Sequence, residues 1–265
     1  MKKNKKKNII SIITGGAGFL GKQIFESLLE LNHKKIIIID NNKKNIDSFE
    51  KKYSKHKSKF KVFKLDICSE KEVLKVYNEI INKFNKIDIL INNAAIDYKP
   101  KKKERRKEGF FDTSIASWRN EISVGLTGSL ICSKIFCRSM VKKRSGIILN
   151  ISSDLSVIAP DQRLYDHLNT EKPISYSVVK HGLIGLTKYL AGYLASKNIR
   201  VNALSPGGIQ NKQDKKFIKK IKSLIPLNRM AKVNEYKEII KFLCSDSSSY
   251  MTGQNIIIDG GRTII

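Results

Sequence analysis

The 265-residue chain reads as one doubly wound α/β domain, a seven-stranded parallel sheet with helices on both faces. Three observations predict it. Short apolar runs, many rich in Ile, alternate with amphipathic stretches from end to end, those runs do not alternate polar and apolar as half-exposed strands do, and the first of them feeds a glycine-rich turn. Continuous apolar strands separated by helices are covered on both sides, as in parallel sheets. No linker, composition break or internal repeat divides the chain.

The elements follow in order. Residues 8–13 are the first apolar run, and Thr14-Gly15-Gly16-Ala17-Gly18-Phe19-Leu20-Gly21 then opens into a helical pattern. Runs at 35–39 and 60–64 carry β-branched and aromatic side chains that suit a pleated surface. Residues 70–84 space their apolar positions as an amphipathic helix. A strand at 87–91, a helix at 117–140, a strand at 146–151 and a helix at 176–196 continue the alternation. A strand at 199–204, a helix at 234–244 and a strand at 255–258 complete it. Loops at 97–111, 154–175 and 207–230 interrupt the pattern and are expected to border a substrate. The first two leave the carboxyl ends of strands beside the sheet's switch point, where ligands bind in such folds. The first holds the charged run 99–107, for which a solvated surface loop is the plain alternative.

Composition narrows the function classes. The net charge of +27 invites a nucleic-acid partner, but Lys, Ile and Asn supply 101 of the 265 residues. All three have A/T-rich codons, and the lysines are spread over nearly every element. Only nine residues are Arg, the side chain suited to bidentate phosphate and base contacts. No nucleic-acid partner is expected. No run of 18 apolar residues occurs, so no membrane span is expected, and the basic start lacks the pattern of a secretory signal. Cys68, Cys132, Cys137 and Cys244 form no CxxC pair, which suits a reduced, cytoplasmic protein without a metal site.

The glycine turn after a strand and before a helix is a dinucleotide site. Glycines let backbone N–H groups approach a pyrophosphate, and the helix N-terminus adds partial positive charge. Asp40 ends the second strand about twenty residues further on, where a carboxylate accepts from the adenosine ribose and repels a 2′-phosphate. NAD is therefore expected over NADP, with Lys43 and Lys44 close by in sequence. Tyr176 and Lys180 lie four apart on a helix and share a face, which brings an ammonium near a phenol.

With these residues in place, the chain resembles the short-chain dehydrogenase/reductase family over nearly its whole length. Leu65-Asp66-Ile67 resembles the stretch that meets the adenine, and Asn92-Asn93-Ala94-Ala95 the segment that lines the cofactor. Asn150-Ile151-Ser152-Ser153 resembles the segment bearing the catalytic serine, here Ser153. Ser205-Pro206-Gly207-Gly208-Ile209 resembles the turn under the nicotinamide, with Ile209 backbone groups at the carboxamide. Met251-Thr252-Gly253-Gln254 and Asp259-Gly260-Gly261 resemble the family's C-terminal end. The resemblance implies cofactor contacts from Gly15, Gly18, Phe19, Leu20, Asp40, Asp66, Ile67, Asn93, Ala94, Tyr176, Lys180, Pro206 and Ile209. It implies hydride transfer to or from a carbinol or carbonyl carbon, with Tyr176 as general acid/base, Lys180 beside it and Ser153 on the reacting oxygen. Moving a tyrosine from its usual value near 10 to 7 takes about 4 kcal/mol of preference for phenolate. The ammonium and the oxidised nicotinamide can supply it.

Three departures stand out. Gly125, in Val124-Gly125-Leu126-Thr127-Gly128, occupies the place of the family's active-site Asn, which puts a relay through that side chain in doubt. The Thr-Gly-x-x-Gly-x-x-Gly spacing is commoner in the family's longer, sugar-nucleotide branch. Ser153 and Tyr176 are 23 residues apart, about ten more than the short branch has, and the surplus holds Arg163, Tyr165 and His167. His167, alone in a loop, reads as polar surface. Cys132, Cys137 and Trp118 read as packing residues of the long helix.

The likeness is closest to bacterial oxidoreductases of flagellin-modification and nonulosonic-acid pathways, which implies a small polar, sugar-like substrate. A sugar-nucleotide epimerase or dehydratase that recycles its NAD is the main alternative; the glycine spacing favours it and the Pro206-Gly207 turn opposes it. A non-catalytic NAD-sensing binder is the second alternative. The family's habit implies a homodimer or homotetramer, paired through helices 117–140 and 176–196 and through an apolar tail, Arg262-Thr263-Ile264-Ile265.

Overall fold

A computed structural model describes residues 8–96, 109–168 and 170–265. The basic N-terminal run, the charged run 99–107 and Asn169 lie outside the described residues.

Seven strands form one sheet: β1 (Ile10–Thr14), β2 (Lys35–Asp40), β3 (Phe60–Lys64), β4 (Ile89–Asn92), β5 (Gly146–Ile151), β6 (Ile199–Pro206) and β7 (Asn255–Ile258). Their order is β3-β2-β1-β4-β5-β6-β7, and every pair is parallel. The helices are α1 (Phe19–Glu30), α2 (Lys43–Lys52), α3 (Glu70–Phe84), α4 (Ile115–Ile122), α5 (Gly128–Lys143), α6 (Ile174–Ala195), α7 (Lys215–Lys222) and α8 (Lys237–Leu243). The sequence pattern placed all seven strands, three of them to the residue, and the helix at 70–84.

Alternate strand residues feed opposite faces, as a pleated strand requires. On one face Ile10, Ile12, Ile37, Ile39, Leu90, Ile148 and Val201 pack with Val73 and Ile80 of α3, Phe136 and Met140 of α5 and Leu194 of α6. On the other, Ile13, Ile36, Ile38, Ile91, Leu149 and Leu204 pack with Phe25 of α1, Phe49 of α2 and Ile240 of α8. Covering both faces makes the strands mostly apolar, which is why the runs were legible.

The expected single helix at 117–140 is an interrupted one. Ser114 caps α4 by accepting from the Ser117 N–H, and a π-helical turn, Ser123–Thr127, joins α4 to α5. By length and composition alone the stretch Ile115–Lys143 could cross a membrane, but half of its apolar window is buried inside this fold.

The order of strands reverses between β1 and β4, so loops leaving their carboxyl ends diverge and open a crevice. All the residues of interest gather at that edge.

Candidate active site

The glycine turn is built to need glycine. Gly15 has φ +60°, and a Cβ there would approach Ala94 Cα to 2.8 Å. A Cβ on Gly21 would collide with the Gly15 carbonyl oxygen. Gly18 starts α1 without a side-chain cap and with no acidic residue in the first turn. By contrast α2, α3, α4 and α7 start on Asn42, Ser69, Ser114 and Asp214, each accepting from a first-turn N–H. The amides around Phe19 and Leu20 thus lack a competing side-chain acceptor, which fits a pyrophosphate.

Asn93 fixes this turn. Its amide donates to the carbonyls of Thr14 and Gly15, each at 3.0 Å, while Thr14 Oγ1 accepts from the N–H groups of Asn93 (3.0 Å) and Ala94 (3.2 Å). Asn93 and Ala94 therefore hold β1 and β4 together at the crevice, and the Asn93 amide is spent on backbone. Behind them a buried polar chain runs from Asn92 to Asn150 (2.8 Å) and on to Thr187 (2.8 Å).

Asp40 is 7% exposed, and its two oxygens accept from Ala17 N (3.1 Å) and Asn42 N (3.0 Å). The carboxylate is tied to the glycine turn itself, at the end of β2. Leu65 N donates to Asp40 O at 3.2 Å, which sets the exposed Asp66 beside it. One Asp66 oxygen accepts from Cys68 N at 2.9 Å, and Ile67 packs under Gly128. At the far side, Gly207 N donates to Ile258 O, so Pro206 sits where β6 and β7 end. The Ile209 carbonyl already accepts from Gln213 Nε2 at 2.8 Å, which leaves the Ile209 N–H for the expected carboxamide contact.

Tyr176 and Lys180 occupy the first turns of α6, and residues 151–153 lie against them. Lys180 is 4% exposed, donates from Nζ to Ile151 O at 2.9 Å, and stands 5.4 Å from the Tyr176 ring centroid. Ser152 Oγ donates to Lys180 O at 2.8 Å, which ties the end of β5 to α6. A second cation escaped the sequence reading: Lys172 Nζ lies 3.7 Å from the same ring centroid. Ser153 Oγ donates to Asp154 Oδ1 at 2.8 Å, and Asp154 Oδ2 accepts from Arg262 Nη1 at 2.7 Å. Burial pushes the Cys68 thiol up to about 11 and Cys244 to about 12, and it raises Cys132 and Cys137 as well. None of the four offers a thiolate near neutral pH.

Three expectations need correction. His167 is no surface residue: its side chain is mostly buried, with Nε2 2.9 Å from Asp214 Oδ1, so it ties the loop after β5 to the start of α7. Arg262 does not belong to an apolar tail; it turns inward to Asp154, while Ile264 and Ile265 stay exposed. Gly125 does not mark a gap left by a missing side chain, because its space is filled. A Cβ there would collide with Val179 Cγ1, and the Gly125 carbonyl accepts from Ser129 Oγ at 2.9 Å. Restoring the family's residue with Gly125→Asn should therefore cost about 1–3 kcal/mol of stability through overpacking. Thermal unfolding checks this; a Gly125→Asn protein melting with the parent would show that Val179 yields freely.

Two of the three loops meet at the mouth of the site. Phe110 N donates to Glu171 Oε2 at 3.2 Å, and Gly109, Phe110, Phe111, Asp112 and Glu171 line a cleft. The third loop carries α7, whose Phe217 and Ile221 pack on Tyr165 and Leu164 of the second.

A family model described as Enoyl-(Acyl carrier protein) reductase matches residues 20–263. The chain is 32% identical to the 3-oxoacyl-[acyl-carrier-protein] reductase FabG of Aquifex aeolicus, over 95% of this chain and 96% of that protein. It is 28% identical to the post-translational flagellin modification protein A of Campylobacter coli, over 96% and 98%. Among solved structures it is similar to a short-chain dehydrogenase of Leptospira borgpetersenii with bound NAD+, at 34% identity and a TM-score of 0.84, covering 97% of this chain and 93% of that one. Fold and relatives agree, and the chain belongs to the short-chain dehydrogenase/reductase family of oxidoreductases.

Proposed function

We propose that this oxidoreductase is a cytoplasmic enzyme that uses NAD and acts on a secondary alcohol or the matching carbonyl of a small polar, sugar-like substrate. The observation that carries the reading is the buried Lys180 ammonium beside Tyr176, bonded to the Ile151 carbonyl at the end of β5, in a fold where Asp40 closes the glycine turn. Gly15, Gly18, Phe19 and Leu20 would hold the pyrophosphate, Asp40 the adenosine ribose, Asp66 and Ile67 the adenine, and Pro206 and Ile209 the nicotinamide end. A nicotinamide bound there takes or gives the hydride. Tyr176 moves the proton at the substrate oxygen, Lys180 favours its phenolate and the ribose hydroxyls, and Ser153 contacts the same oxygen. Lys172 over the ring adds a second charge that favours phenolate.

Cofactor choice follows from Asp40. Its buried carboxylate would face a 2′-phosphate with like charge, so NAD(H) should bind at least about tenfold more tightly than NADP(H), about 1.4 kcal/mol. Calorimetric titration checks this, and equal or better NADP(H) affinity would transfer the adenosine site to Lys22, Lys43 and Lys44. The Leptospira relative's NAD+ supports the same choice.

The sugar-like substrate is supported by the likeness to the flagellin modification relative. A second reading, reduction of a 3-oxoacyl thioester, is favoured by the higher identity of the FabG relative. Assay of acetoacetyl-coenzyme A with NADH and NADPH separates them; rapid reduction would favour the thioester.

Assembly into a dimer or tetramer is proposed through α4, α5 and α6. Leu130, Val178, Tyr189 and Tyr193 are exposed there, with the two tyrosine rings stacked at 6.0 Å. Apolar side chains grouped on a helix face suit burial against a second copy. Light scattering at micromolar protein should give at least twice the 30.1 kDa chain mass, and a monomer mass would refute the proposal.

A further inference from the structure

We infer that Asp154, clamped by Arg262, is a positioning residue that sets the direction of the Ser153 hydroxyl and, through it, the charge state of Tyr176. The inference rests on the reading of Ser153 and Tyr176 as the reacting pair.

The direction of the Ser153 hydrogen follows from the partners. Leu155 N–H donates to Ser153 Oγ at 3.2 Å and to Asp154 Oδ1 at 2.9 Å. A carboxylate only accepts, so the 2.8 Å contact between Ser153 Oγ and Asp154 Oδ1 uses the serine's single hydrogen. Ser153 then presents an oxygen lone pair to the crevice. In this state it does not donate to a phenolate or to a substrate oxygen.

That arrangement is held from the far end of the chain. Asp154 is 3% exposed and Arg262 7%, so the two opposite charges are buried as a pair. Arg262 is delivered by a turn in which Gly260 and Gly261 have φ +71° and +91°. Asp259 pins that turn by accepting from Gly261 N at 2.9 Å and Thr263 N at 2.7 Å. The same turn meets the loop at 207–230, where Leu227 N donates to Gly260 O at 3.1 Å. A motion of the C-terminal turn would reach Ser153 through two charge-assisted contacts.

Among the described residues, the charged groups near Tyr176 include Lys172 and Lys180, each over the ring, and Glu121, which accepts from the neighbouring Ser175. Asp154 and Arg262 act on it through Ser153. Neutralising Asp154 frees the Ser153 hydrogen to donate toward Tyr176 and leaves the Arg262 charge, and both effects favour phenolate. Removing Arg262 leaves the buried negative charge uncompensated, which opposes phenolate, while the Ser153 hydrogen stays on Asp154.

The test is the titration of Tyr176, taken as the difference in phenolate absorbance between each protein and the same protein carrying Tyr176→Phe. Asp154→Asn should lower the Tyr176 pKa by about one unit, a tenfold change in ionisation, and Arg262→Gln should raise it by a similar amount. Arg262→Lys keeps a cation and should stay near the parent. Opposite shifts support the inference. Unchanged values, or shifts of one sign in both folded variants, overturn it, since a merely structural pair would not move the phenol in opposite directions. If Asp154→Asn fails to fold, the Gln and Lys variants at Arg262 decide alone: a rise for Gln without one for Lys supports, and equal values overturn. Loss of the proposed activity reading is a separate event, seen as turnover surviving Tyr176→Phe, and does not alter these titrations.

Discussion

Tyr176→Phe should abolish turnover while leaving NAD affinity nearly intact. Only a hydroxyl is lost, the ring keeps its contacts with Lys172 and Lys180, and the glycine turn and Asp40 are untouched. General acid/base catalysis contributes roughly 100- to 10,000-fold, so the kcat of the variant should fall at least about 100-fold. Lys180→Ala should damage both kcat and cofactor affinity, because its ammonium is proposed to serve the phenol and the ribose. It also leaves the Ile151 carbonyl without its 2.9 Å donor. Steady-state kinetics and calorimetry read the two effects separately. A Tyr176→Phe protein keeping more than about a hundredth of parent kcat would end the role proposed for Tyr176.

Arg262→Ala should be the most destabilising of the single changes considered. It strands the Asp154 carboxylate at 3% exposure with no counter-ion, a loss of about 3–5 kcal/mol. In a chain of this size that corresponds to a fall in melting temperature on the order of 10 °C. Removing both charges with Asp154→Asn and Arg262→Ala together should cost less than Arg262→Ala alone, since no buried charge is left unpaired. Thermal unfolding of the four proteins forms a double-mutant cycle. An Arg262→Ala protein melting within about 2 °C of the parent would mean that water or another side chain replaces the guanidinium.

The parts of this site that were legible are those whose chemistry is local in sequence. Gly15, Gly18 and Gly21 announce a turn because only glycine fits the close approach of Ala94 and the Gly15 carbonyl. Tyr176 and Lys180 announce a helix face through their spacing, and Asp40 stands at the end of an apolar strand. What stayed hidden is set by packing between distant segments. Arg262 and Asp154 are 108 positions apart, and nothing near either one signals the other. Gly125 looked like a missing side chain, yet Val179 from the next helix occupies its space. His167 looked like surface because its partner, Asp214, caps a helix 47 positions on. Lys172 falls in a loop whose path over the Tyr176 ring has no local pattern to reveal it.

The central claim is that Tyr176 drives nicotinamide-dependent oxidation or reduction of a small polar molecule. Mass spectrometry of metabolite extract incubated with the protein and NAD+ tests it most directly, with the Tyr176→Phe protein run in parallel. The account predicts that one polar metabolite loses two hydrogens as NADH accumulates, in the parent sample alone. An extract unchanged with either NAD+ or NADH, or changed equally by Tyr176→Phe, would contradict it.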